Sequence, residues 1–335
     1  MSFDFELDTS DVSQSSGNGG GNIDFDAMNQ HVVDVVGTQK KAKTVVGYPS
    51  GIYDLGLQPR PDFEKIHNPD DEDERTALAN GEARIEHRDK FYDEGKWVED
   101  VDIFCKPRKP AKAIALAVDF PQFEVDKGQF FGESNPAPLR LLMGGTWSVK
   151  NPDQPDKKMP IIQSPFYLNE STNNDANEWA LGNRTTLFKM AEAAELLNDN
   201  GNFKAADVPK LLGKPLMFKI QVYMKSSKKD ASKSYYTESI KFVSEVPDGL
   251  PTPEFDTSLL HGVNMKKVNN PDAVKQLRAV IKNTMRLSEG WEDSIIKEEI
   301  EADRTAKQAN RPKPEEKKEE ETPTPDAAFD ETIPF

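Results

Sequence analysis

Leu216-Met217-Phe218-Lys219-Ile220-Gln221-Val222-Tyr223-Met224-Lys225 alternates without a break. Leu216, Phe218, Ile220, Val222 and Met224 fall on one side of an extended chain. Lys219, Gln221, Tyr223 and Lys225 fall on the other, because successive side chains of a strand point to opposite faces. The pattern is that of a half-buried strand. A second strand, Tyr235 to Val243, follows the connection Ser226-Ser227-Lys228-Lys229-Asp230-Ala231-Ser232-Lys233, so the two read as a pair. The polar face of the second strand carries Tyr235 and Lys241, with Thr237 and Ser239 between them.

Upstream of this pair the chain is also rich in strand signals. Thr44 to Tyr48 and Gly51 to Leu57 read as strand pieces around a Pro-Ser-Gly bend, and their glycines predict bulges or tight curvature. Trp97 to Phe104 alternates in part, Ala113 to Phe120 is apolar on both faces and should be buried, and Leu139 to Val149 is a further strand. A helix is expected from a cap at Asn183, with Leu187, Met190, Ala191, Ala194 and Leu197 at helical spacing. Strands, then a helix, then two strands predict a mainly β protein with α. The expected body, residues 42–250, is an OB-fold-like five-stranded barrel with extended loops, although other small barrels would give similar hydropathy. Residues 58–96 receive no assignment.

The ends read differently. Residues 1–30 are expected to be a disordered acidic arm containing the Gly/Ser linker Ser13 to Gly21; its start, Phe3-Asp4-Phe5-Glu6-Leu7, reads either as plain disorder or as a second contact peptide. Residues 251–296 form a rigid connector and a C-terminal amphipathic helix over 270–287. Asn270 caps that helix, Pro271 sits at its first position, and Val274, Leu277, Ile281 and Met285 share one face, which packs on the body or makes a homodimer contact. Residues 297–335 are expected to begin helical and to end as a disordered acidic tail.

The net charge of −15 argues against a nucleic-acid binder until its distribution is read. Residues 1–30 hold no basic and six acidic residues, and residues 291–335 hold 7 basic and 14 acidic, whereas residues 101–250 hold 20 basic and 18 acidic. Acid thus sits mainly at the ends and the middle is mildly basic. Asp70, Asp71, Glu72, Asp73 and Glu74 crowd one stretch, read as a solvated loop because no calcium-loop spacing accompanies them. Cys105 is the only cysteine, which excludes a disulfide framework and a Cys-based zinc site, and His31, His67, His87 and His261 lack ligand spacing. No phosphate loop, nucleophile elbow or His-x-x-x-His pair is present, so neither an enzyme nor a cofactor is expected. With no signal-peptide pattern and no membrane-length apolar run, the expected location is the cytoplasm, without membrane partners.

Binding single strands requires cations that track phosphates and aromatic faces on which bases stack. Lys219, Tyr223, Lys225, Tyr235 and Lys241, with the loop lysines Lys228, Lys229 and Lys233, offer both on one face. A second basic candidate is Lys106, Arg108, Lys109 and Lys112, a Pro-stiffened run expected at the same rim. Phe130 and Phe131, flanked by Gly128 and Gly132, read as a stacking loop tip or as core. Trp97, Trp147, Phe166, Tyr167 and Trp179 are read as core.

The chain closes with Phe329-Asp330-Glu331-Thr332-Ile333-Pro334-Phe335. This resembles the acidic C-terminal tip of bacterial single-stranded-DNA-binding proteins. Phe329-Asp330 and Ile333-Pro334-Phe335 match, Glu331 replaces an Asp, and Thr332 departs. The resemblance implies an OB fold, shared with many bacteriophage-encoded members. It also implies a docking peptide made of Asp330, Glu331, Ile333, Pro334 and Phe335, which recruits polymerase, helicase, primase or nuclease partners. Phe335 can fill an apolar pocket while its carboxylate meets a cation. The expected function is non-sequence-specific single-stranded DNA binding in replication, recombination and repair, in the host bacterial cytoplasm if phage-encoded. A recombination mediator or strand-annealing protein, and an acidic adaptor or scaffold that binds no DNA, stand as alternatives.

Overall fold

The computed structural model describes residues 24–309 except 94, 153, 173 and 227–233. In chain order the elements are α1 (Phe25–Val36), β1 (Lys43–Gln58), β2 (Phe63–Ile66), α2 (Glu72–Ala79), β3 (Arg84–Asp93), β4 (Lys96–Lys106), β5 (Ala111–Asp126), β6 (Pro136–Leu142), β7 (Thr146–Asn151) and β8 (Gln154–Ile162). The short strands β9 (Phe166–Tyr167), β10 (Glu170–Ser171) and β11 (Ala180–Leu181) follow, then α3 (Thr186–Ala193), β12 (Leu216–Ser226), β13 (Ser234–Ser244), β14 (His261–Val263), α4 (Pro271–Lys275), α5 (Ala279–Arg286) and α6 (Ile295–Ala309). The fold is mainly β with helices, as expected, and no helix among the described residues is long and apolar enough to cross a membrane.

The main sheet runs β13-β12-β1-β5-β6, with β14 parallel to β1 and β9 on β5; β2-β4-β3, β7-β8 and β10-β11 form three small separate sheets. The expected closed barrel is not formed. The ladder stops at β6 and β13, which approach each other without pairing. Two of the seven β6 residues, Pro136 and Pro138, have no N–H to give a neighbouring strand. The predicted bulges of β1 lie between Pro49 and Gly51 and between Asp54 and Gly56. Gly56 takes φ +77°, a left-handed conformation that disfavours other residues.

β5 is buried on both faces, as its sequence predicts. Ile114, Leu116, Val118 and Phe120 join Leu216, Phe218, Ile220 and Val222, Val32, Val33 and Val36 of α1, and Leu187, Met190 and Ala191 of α3. Ala113, Ala115 and Ala117 on the opposite face pack with Tyr53 and Leu55 against the C-terminal residues Val263, Val274, Leu277, Ile281 and Met285. The small alanines let the helical layer come close to the sheet. This layer takes up the apolar face of 270–287, so the body-packing reading holds and the homodimer contact through that face does not.

Side chains extend the ladder beyond the start of β1. The Thr38 hydroxyl donates to the Val222 carbonyl at 2.9 Å and accepts from the Val222 N–H at 2.8 Å. The Gln39 amide does the same for Met224, at 2.9 and 2.8 Å. Each imitates a neighbouring strand's peptide group.

Several boundaries differ from expectation. Phe25–Val36 is helical rather than part of a disordered arm: Asp24 accepts from the Ala27 N–H, and Gly37 closes the helix in the left-handed region. Residues 58–96 hold β2, α2 and β3, whose charged outer faces hid them. The five-acid stretch is no plain loop. Asp71 caps α2, and Glu74, almost fully buried, accepts from the Asn68 N–H. α3 is capped by Thr185, not Asn183. Asn270 does cap a helix, but Gln276-Leu277-Arg278 interrupts it into α4 and α5, which frees Arg278 to reach Glu238 on β13. The helical start expected for the tail region is found, with α6 running to residue 309. Residues 1–23 and 310–335, with the Gly/Ser linker, the Phe3–Leu7 peptide and the docking tip, lie outside the described residues.

Candidate nucleic-acid interface

The β12–β13 register decides which side chains meet. Lys219 lies opposite Lys241, Gln221 opposite Ser239, Tyr223 opposite Thr237 and Lys225 opposite Tyr235. These eight share the outer face, because Leu216, Phe218, Ile220 and Val222 are fully buried on the inner one. Lys219 and Lys241 are exposed, and Tyr223, Lys225 and Tyr235 are half-buried. Two ammonium groups directly across a ladder repel each other, which costs stability unless an anion lies between them. Lys228, Lys229 and Lys233, in the loop joining these strands, lie outside the described residues.

The second basic run is placed elsewhere. Ala111 pairs with Gln58 at one end of β1, whereas Ile220 pairs with Lys43 at the other. Thr44, the partner of Lys219, and Leu57, the partner of Lys112, lie thirteen residues apart along β1. The expectation of one shared rim is therefore corrected: the run follows one end of the long strand β1, and the described part of the hairpin pairs with its other end. The run is also partly neutralised. Lys106 pairs with Glu82 at 2.8 Å and Lys112 with Asp54, while Arg108 lies over the Phe63 ring at 5.4 Å and Lys109 is exposed. Phe130 packs beside His31 and Phe131 edge-on to Phe25, so both lean on α1, although Phe131 stays 53% exposed.

Three tryptophans expected in the core are on the surface. Trp97 is 55% exposed and pairs with the 56% exposed Tyr92 at the tip of β3–β4, their centroids 5.2 Å apart; Trp179 is 65% and Trp147 39% exposed. Phe166 and Tyr167 are half-buried. The alternation signal is weak here because β3 and β4 bury little, a small cluster of Val101, Ile103 and Cys105 with Ile66, Phe91 and Val98, and Phe104 beside them in sequence.

A polar cluster escaped the sequence reading. Asp119 on β5 and Arg140 on β6 are cross-strand partners joined by two hydrogen bonds of 2.7 and 2.8 Å. Burial works against the Arg140 charge, but the hydrogen bonds and charge of Asp119 outweigh it and raise the pKa. Tyr53 OH lies 2.8 Å from His261 Nε2, and His261 Nδ1 lies 2.9 Å from the Leu259 carbonyl, which fits a neutral ring donating from Nδ1 and accepting from Tyr53. Burial pushes the phenol up to about 12 and lowers the imidazole. Arg278 donates through Nη1 to Glu238 at 2.7 Å, and Tyr236, its phenol pushed up by burial, lies 3.4 Å from the same carboxylate. Only a pattern linking residues 119, 140, 238 and 278 could have revealed this cluster.

Among the described residues, no group of three or more His, Cys, Asp or Glu is arranged to hold a metal. Compared with known proteins, the chain matches no family model, no curated sequence and no solved structure, so geometry carries the functional argument alone.

Proposed function

We propose that this chain is a non-enzymatic single-stranded-DNA-binding protein. It coats exposed strands with little sequence preference and serves replication, recombination and repair. The observation that supports this most is the outer face of β12–β13, where Lys219 and Lys241 face each other with Tyr223, Lys225 and Tyr235 beside them. The lysines neutralise phosphates and release counterions, and the tyrosines offer faces to bases. On this reading the main sheet is an OB-like unit. Its long strands β1, β5, β6, β12 and β13, counted first to fifth, lie in the order 5-4-1-2-3, that of a Greek-key barrel opened between the third and fifth strands. α3 falls between the third and fourth strands, where an OB barrel carries its helix.

In the same proposal, the tip Asp330, Glu331, Ile333, Pro334 and Phe335 recruits polymerase, helicase, primase or nuclease partners, and the acidic tail competes with DNA for the basic face. The test is a fluorescence titration with poly-dT at two salt concentrations, with the full chain and a version ending at Pro314. Salt-dependent quenching, tighter without the tail, is expected. No quenching in either version would remove the DNA-binding reading and leave a protein-only adaptor.

A further inference from the structure

A gap remains between the main sheet and the turn over residues 205–212. Ile52 and Asp54 of β1, and Lys112 and Ile114 of β5, line its floor. Ala205 and Val208 of the turn line the facing wall, and β14 closes one side with Gly262 and Asn264. The cavity measures about 290 Å³ and meets solvent beside Lys112, whose side chain is 40% exposed, and the exposed Gly262. Sites for small organic ligands span roughly 300–1,000 Å³, so this one suits a single ring system.

The walls at Ile52, Ile114, Leu168 and Val208 are apolar, and the polar lining is Asp54, Lys112 and Asn264. Lys112 forms an ion pair with Asp54, which also accepts from the Gly56 N–H at 2.9 Å and the Met265 N–H at 3.3 Å. Asn264 Oδ1 accepts from the Lys266 N–H at 2.8 Å. That bond fixes the amide and leaves Nδ2 a donor with no acceptor among the described residues. A ring with apolar faces and a polar edge matches such a lining. A phenyl side chain does not, because it would set carbon against polar groups that need partners.

The surroundings narrow the choice of ring. Lys112 ends the basic run, and Arg108 and Lys109 have no carboxylate partner among the described residues. Lys109 is three residues from Lys112, so their Cα atoms lie within about 11 Å of each other. Cations so placed suit phosphates, and a heterocycle joined to phosphates is a nucleobase. Resting on the single-strand reading, we infer that the cavity takes one base turned in from a bound single strand, with neighbouring phosphates on Arg108 and Lys109. The base lies between the apolar walls and turns its edge to Lys112, Asp54 and Asn264. The strand thereby gains a second anchor, at the opposite end of β1 from the tyrosine face.

The test compares the full wild-type chain with Gly262→Leu. Gly262 pairs with Ile52, so a side chain added there projects to the face on which Ile52 lines the cavity. A Cβ at Gly262 would meet only the Ile52 carbonyl oxygen, at 3.8 Å, an ordinary contact. The fold is therefore expected to survive, as a thermal melt checks. Ala205→Leu fills the cavity from the facing wall and serves as a second blocking variant. The probes are oligo-dT and an abasic strand of the same length and charge. Both variants should weaken oligo-dT binding about tenfold, the scale of one base contact. The slope of log affinity against log salt should not change, because no phosphate contact is lost. Affinity for the abasic strand should stay at the wild-type value. Oligo-dT affinity unchanged in both variants, or an equal loss on the abasic strand, would overturn the base subsite while the DNA reading stands. If the wild-type chain binds neither strand, the DNA reading itself fails. Binding of a synthetic peptide of residues 326–335 that is lost in Gly262→Leu would assign the cavity to the tail and overturn its assignment to a base.

Discussion

Thr38→Val tests the claim that a side chain stands in for a strand. The two residues have nearly the same shape, so no cavity opens, and the methyl lands where the hydroxyl was. Thr38 is fully buried, and both its hydrogen bonds go to Val222, itself fully buried. The substitution therefore strands one backbone N–H and one C=O away from water. Each orphaned group costs about 1–3 kcal/mol, so the loss should be about 2–5 kcal/mol after the small gain from burying a methyl. Gln39 makes the same pair of bonds to Met224 at an exposed position. Water can replace it there, so Gln39→Leu should cost under about 1 kcal/mol. Urea denaturation gives both values, with an unchanged m-value expected. Hydrogen exchange at the Val222 amide should quicken in Thr38→Val only. A loss below about 0.5 kcal/mol, or equal losses for both variants, would refute the reasoning.

Three other outcomes follow from the geometry. Lys241→Glu turns the repelling pair with Lys219 into an attractive one; it should keep or raise stability by up to about 0.5 kcal/mol while weakening poly-dT binding, which thermal melts and titrations read separately. Asp119→Asn leaves Arg140 without its countercharge and should cost roughly 2–4 kcal/mol, below the full buried-pair value because Arg140 keeps 26% of its side chain exposed; Arg140→Met in the same chain should recover part of it in a denaturant melt. His261 has its folded pKa below its unfolded value near 6.5, so the unfolded chain takes the proton first. Its contribution is complete above that value, is lost as pH falls through 6.5 and levels off below the folded pKa. The difference in melting temperature between wild type and His261→Asn should shrink as pH falls across that window; a constant difference would count against burial of the neutral His261 ring.

Where one face met solvent and the other met core, the sequence was legible. The alternation of 216–225 placed Phe218, Ile220 and Val222 inside with every residue on its expected side, and the two-sided apolar run at 113–120 located a strand covered by both layers. Contacts distant in sequence were not legible. Arg278, in the break at Gln276-Leu277-Arg278, pairs with Glu238, forty residues earlier, and neither segment announces the other. Trp97 was misplaced because aromatic character near a strand cannot distinguish a packed ring from one left on a hairpin tip. The acidic stretch at 70–74 hid a cap and a buried carboxylate within a simple excess of charge. At the candidate site the hairpin face was readable from periodicity, whereas the Asp119–Arg140 and Glu238–Arg278 pairs needed the sheet order.

The parallel pairing of β14 with β1 joins Gly51, Ile52 and Tyr53 to His261, Gly262 and Val263, more than two hundred residues later. Such contacts close very long loops, so they raise the contact order and slow folding. During synthesis the inner layer can assemble once β13 has emerged, but the outer face of Tyr53, Leu55 and the β5 alanines has no cover until the segment from His261 to Met285 follows. A ribosome stalled before that segment would present a bare apolar sheet. The nascent chain therefore passes through an interval in which it depends on chaperones or on speed to avoid aggregation.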